Sequence, residues 1–129
     1  MNVLFSLEIS CIEEENHKNY WAVYPIGLFR SAEEVDAVIK RLVTDGGKFS
    51  EPDCEARISK VEVVGDGVIP ECVYRFWGQN IDGAIEGDTI ESPCYVDKSI
   101  AIEALIKAKE KTPRQQWRLE THFIGKCNW

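Results

Sequence analysis

Nowhere in the 129 residues does an apolar run approach the ~20 residues that a membrane-spanning helix requires, since Glu8 and Glu13 interrupt the first apolar stretch. No Lys or Arg precedes that stretch, so a secretory signal is not expected there. Cysteines are few and poorly spaced for metal. Cys11, Cys54, Cys72, Cys94 and Cys127 are separated by 43, 18, 22 and 33 residues, which excludes the close pairs of the usual zinc sites. An odd number of cysteines without an export signal fits reduced thiols in a cytosol better than a disulfide framework. Basic residues are in the minority: 15 Lys and Arg against 22 Asp and Glu leave a net charge of −7. That balance disfavours nucleic acid or an anionic membrane as the main partner.

Catalytic motifs are also scarce. Gly46-Gly47-Lys48-Phe49 lacks the upstream glycine and the Ser or Thr of a phosphate loop, and neither G-x-S-x-G nor H-E-x-x-H occurs. The two histidines, His17 and His122, have no His or Cys neighbour at ligand spacing and read as surface residues. No metal or cofactor is expected. Asp82, Glu86, Asp88 and Glu91 form a run of carboxylates, but without the spacing of a calcium loop.

What is present is ordinary globular material, 44% hydrophobic and 29% charged. A chain of this length buries roughly two-thirds of its unfolded surface, enough for one domain over residues 1–129. Val3, Phe5, Leu7, Ile9 and Cys11 alternate with Ser6, Glu8 and Ser10, the period of a half-buried strand. Glu13 to Asn19 reads as a turn, and Tyr20 to Tyr24 as a second strand broken by Pro25 and Gly27. Ser31 and Glu34 form a capping box before an apolar stripe of Ala32, Val35, Val38, Ile39, Leu42 and Val43, with Gly46-Gly47 as the stop. Ile58, Val61 and Val63 suggest a third strand with a slip near Lys60, and Val68 to Trp77 a fourth. Gly78 to Pro93 reads as a long loop. A second helix is expected from Asp97 or Ser99 to about Lys111, with Ile102, Leu105 and Ile106 as its stripe, and a last strand around Trp117 to Phe123. The expected order is β-β-α-β-β-α-β. This is an α+β two-layer sandwich, a mainly antiparallel five-stranded sheet with two helices on one face.

Charge is unevenly placed. Residues 1–95 carry 8 basic and 18 acidic groups, whereas residues 96–129 carry 7 and 4, so a segment at −10 precedes one at +3. The excess concentrates at Glu13, Glu14 and Glu15 and at Asp82, Glu86, Asp88 and Glu91. Such surfaces serve solubility, and they also suit a protein that imitates a polyanion to cover a basic partner. Trp77 beside the second cluster is the expected apolar anchor.

Taken over its full length, the chain resembles the small acidic immunity proteins of bacterial polymorphic toxin and contact-dependent growth inhibition systems. The likeness lies in the one-domain size, the start Met1-Asn-Val-Leu-Phe, the free cysteines, the acidic loops and the ending Trp117-Arg-Leu-Glu-Thr-His-Phe-Ile-Gly-Lys-Cys-Asn-Trp129. It implies a cytoplasmic protein that binds the basic surface of one cognate toxin domain, often a nuclease, and blocks it. The rival readings are a small hydrolase using carboxylates with His122 or His17, and a ligand-binding regulatory module.

Overall fold

The computed structural model describes residues 2–44, 46–47, 49–50, 53–80, 89–112 and 115–127. Among them are seven strands and two α-helices in a mixed, sheet-dominated α/β arrangement. The chain packs as two compact units, residues 3–61 with 124–127 and residues 62–123 with Asn2.

In the first unit, β1 (Val3–Glu15) and β2 (Lys18–Phe29) form a long antiparallel hairpin. The polar stretch expected as a turn is mostly strand: Glu13, Glu14 and Glu15 pair with Tyr20, Asn19 and Lys18, and only Asn16-His17 turns. Both turn residues have positive φ, 53° and 63°, the two-residue geometry whose twist matches the flanking strands. Pro25 and Gly27 do not end β2. Leu7 pairs with Gly27 and Glu8 with Pro25, so Ile26 is an extra, fully buried residue in a bulge. Proline is tolerated because β2 is an edge strand of the described sheet.

β1 lies between β2 and β3 (Cys54–Val64). The backbone N–H of Ile12 donates to Asp53 O at 3.1 Å, and Cys11 and Cys54, with Cα atoms 4.1 Å apart, are joined by a disulfide. The expectation of five reduced thiols is corrected here: only Cys72, Cys94 and Cys127 are outside a disulfide. Cysteine count therefore no longer argues for a reducing compartment. Sequence spacing could not show this pair, because strand pairing brings it together across 43 residues.

Helix α1 (Ala32–Ile39) packs on β1 and β2. The Ser31 side chain accepts from the Glu34 N–H at 3.3 Å, and Glu34 Oε2 accepts from the Arg30 N–H at 3.1 Å, so the capping box forms one residue wider than its usual span. The stripe continues past Ile39 as a π-helical stretch, Lys40–Thr44, which turns Leu42 into the core. Gly46, at φ 75°, then ends it. The core comprises Leu7, Ile9, Cys11, Ile26, Phe29, Val35, Leu42 and Phe49.

In the second unit, β4 (Cys72–Asn80) pairs with β7 (Gln115–Phe123) along its whole length. Its opposite edge carries two short strands, β5 (Thr89–Glu91) and β6 (Cys94–Tyr95). β6 also pairs with the end of β3, and that pairing is parallel. The five-stranded expectation is thus corrected to seven, and one pairing departs from the antiparallel pattern. The stretch from Gly78 to Pro93 is not one long loop, since β4 runs to Asn80 and β5 returns onto it. β4 begins at Cys72 and not at Val68, which is 92% exposed in the turn after β3. Strands of two and three residues carry too few positions to show a period.

Ser92 joins β5 to β6 and substitutes for the ladder there. Its hydroxyl accepts from the Phe76 N–H at 2.9 Å and donates to Pro93 O at 2.7 Å, while its own N–H donates to Phe76 O at 2.9 Å. Ser92 is buried, so Ser92→Ala strands the Phe76 amide and is expected to cost about 1–3 kcal/mol in a urea titration.

Helix α2 (Lys98–Lys111) starts at Asp97, which accepts from the Ser99 N–H at 2.9 Å. It packs on β4, β6 and β7. Its buried residue is Ala101 and Leu105 is half-buried, whereas Ile102 and Ile106 are exposed, so the expected stripe of Ile102, Leu105 and Ile106 is packed only in part. On β4 the buried Phe76 meets Trp117 edge-on at 6.0 Å and stacks on Tyr95 at 6.1 Å. No helix among the described residues is long and apolar enough to cross a membrane.

Candidate functional site

The end of the β1–β2 hairpin holds the first acidic cluster. Residues directly opposite in an antiparallel pair share a face. Ile9, Cys11 and Glu13 of β1 therefore lie with Tyr24, Ala22 and Tyr20 of β2, on the side of the core. Glu13 is held there by two phenols, its Oε1 accepting from Tyr24 and its Oε2 from Tyr20 at 2.9 Å. These bonds, Tyr24 first, hold the Glu13 carboxyl below the usual range and push both phenols up. Glu14 and Glu15 are exposed, with His17 Nδ1 3.8 Å from the Glu14 carboxylate. The three glutamates thus divide, one as an internal acceptor and two facing solvent.

The opposite face of the same hairpin carries Ser10, Ile12 and Glu14 with Val23, Trp21 and Asn19. Ile12, Trp21 and Val23 are 40%, 59% and 55% exposed. Trp21 was not singled out from sequence, although a signal existed. Ile12 falls in the polar phase of β1, and Tyr20 to Tyr24 is apolar in both phases, so a hairpin with one buried face must expose large side chains on the other.

The second cluster is described only in part, because Asp82, Glu86 and Asp88 lie outside the described residues. Glu91 and Trp77 are brought together as cross-strand neighbours, with Arg118 of β7 opposite Trp77 on its other side. Trp77 is half-buried and engaged. Its indole N–H donates to Glu120 Oε1 at 2.6 Å, and the Arg118 guanidinium lies 5.3 Å from the ring centroid. Glu91 accepts from Arg75 Nη2 at 3.1 Å, while Arg75 Nε donates to Ser92 O at 2.8 Å. This face is a network of satisfied charges around one indole.

His122 stands beside that network, its Nε2 4.0 Å from Glu120 Oε1. Burial holds its imidazole below the ordinary 6.5 and the Arg75 charge adds to this, against the opposing pull of Glu120. A histidine kept neutral by the fold binds its proton more readily when unfolded. Its contribution to stability is therefore complete above the ordinary value and is lost as pH falls through the folded one. His122→Gln is expected to flatten the decline of the urea midpoint between about pH 7 and about pH 5. An equally steep decline in the variant would show that other groups cause it.

Among the described residues, no group of three or more His, Cys, Asp or Glu is arranged to hold a metal ion. Comparison with protein-family models, with curated proteins and with solved structures finds no match to this chain.

Proposed function

We propose that the chain is an immunity protein that binds and neutralises a cognate bacterial toxin domain, a nuclease in the first instance, by covering the basic surface with which that domain holds its substrate. The observation that carries this reading is the hairpin, where Glu14 and Glu15 are exposed at the end of two strands that also expose Ile12, Trp21 and Val23. Surfaces that combine an unburied indole with like-signed charge suit protein partners of the opposite sign. Glu91 and Trp77, with Asp82, Glu86 and Asp88, are the second contact region in this reading. The bond from its indole to Glu120 and the Arg118 guanidinium over its ring make Trp77 a rigid element of the surface. Glu13 acts through the two tyrosines it holds. The reading places the protein in the cytoplasm, where thiol buffers would hold Cys11 and Cys54 as a dithiol.

The test is coexpression with the product of the adjacent gene, followed by copurification at about 50 mM and about 500 mM salt. Growth should be protected and a complex recovered, with weaker recovery at high salt. A toxic neighbour left active, with no complex at either salt, would contradict the reading.

A further inference from the structure

We propose that the outward face of the β1–β2 hairpin, anchored by Trp21, is the surface that docks a basic partner protein; this rests on the immunity reading and names its contact. The register places Ile12 directly opposite Trp21 and Ser10 opposite Val23, so the three exposed apolar side chains form one patch across both strands. Glu8 and Glu14 stand on the same face at either end of it, six residues apart on β1, which is about 20 Å at strand rise. On these two strands that face carries no basic residue, Lys18 pairing with Glu15 on the opposite face, while the neighbouring β3, whose Cys54 and Ala56 pack on the core, places one carboxylate and one cation, Glu55 and Arg57, on it.

Charge selects the occupant. A second copy would bring Glu8 and Glu14 against their own kind, and an anionic membrane or nucleic acid would meet the same repulsion. A protein surface with an apolar recess between Lys or Arg side chains satisfies both components. Trp21 supplies large area at low conformational cost and an indole N–H for a polar contact, the combination that dominates interface energetics. Exposure also means that these side chains can be changed without opening the core, because Ile9, Cys11 and Ile26 pack on the other side.

The experiment uses the adjacent-gene product as the probe and measures its affinity for the intact chain and for three variants. Trp21→Ala and Val23→Lys should each weaken binding by at least about 30-fold, with unchanged circular dichroism. Ile102→Ser/Ile106→Ser, which alters the exposed isoleucines of α2, should bind as the wild type does. Trp21 should also be protected from oxidative footprinting in the complex. If the wild type binds and protects while both hairpin variants keep wild-type affinity, this surface is wrong and the immunity reading stands. If the wild type neither binds nor protects, the immunity reading falls and the assigned occupant with it. A lone chain that dimerises in sedimentation, and loses the dimer on Trp21→Ala, would overturn the choice of a basic partner in favour of a second copy.

Discussion

Reducing the Cys11–Cys54 bridge is expected to lower the stability of the purified protein by about 4 kcal/mol, the loop-closure entropy of a 43-residue separation. For a chain of this length that corresponds to a fall in Tm of roughly 10–20 °C. The bridge links two neighbouring strands whose pairing also rests on the backbone bond from Ile12 to Asp53 and on the surrounding core. Reduction should therefore leave the protein folded at room temperature while shifting its melting point. Thermal melts with and without a phosphine reductant measure the effect. The double variant Cys11→Ala/Cys54→Ala should melt low in both conditions, because it cannot form the bridge and its other cysteines, Cys72, Cys94 and Cys127, are in no disulfide for the reductant to break. Identical wild-type melts with and without reductant would show that the bridge does not stabilise the fold.

Phe29→Ala is expected to be comparably severe, at about 3–5 kcal/mol. The ring is 2% exposed at the end of β2, paired with Phe5 across the hairpin and packed in the cluster with Leu7, Ile26, Val35 and Leu42. Gly27 lies close against its edge as well, so truncation removes packed contacts and leaves a cavity. Val68→Ala, which also removes apolar carbon but from a side chain in solvent, should stay within about 0.5 kcal/mol of wild type. Equilibrium urea unfolding of the two variants makes the comparison. Equal losses would mean that the Phe29 cluster is not the core of its unit.

Local chemistry was the most legible part of the sequence. Ser31 and Glu34 mark the start of α1, and Asp97 caps α2 at one of the two expected positions, because a cap is written within four residues. The alternation from Val3 to Cys11 shows β1, and that from Trp117 to Phe123 shows β7. What sequence could not carry was set at long range. β6 has two residues and exists because β3 and β4 flank it, and the bulge at Ile26 depends on the register with Leu7 and Glu8. The burial of Ala101 in place of Ile102 depends on how α2 packs on β4, β6 and β7.

The candidate site was legible as charge and less so as geometry. Glu13, Glu14 and Glu15 read alike in a row, yet period-two geometry sends Glu13 to the tyrosines and Glu14 to the opposite face. Trp77 stood out beside acidic residues, but its indole is spent on Glu120 and Arg118. In the sequence Trp21 reads only as part of the second strand, and among the described residues it emerges as an exposed indole, since only the paired register shows which phase of β2 faces the core.

The proposed neutralisation of a basic toxin domain by direct binding is tested most directly by titrating the activity of the purified adjacent-gene product with this protein. Activity should disappear at an equimolar ratio at about 50 mM salt and be partly restored at about 500 mM, as ion pairs at the rim are screened. Toxin activity undiminished by an excess of the folded protein at low salt would contradict it.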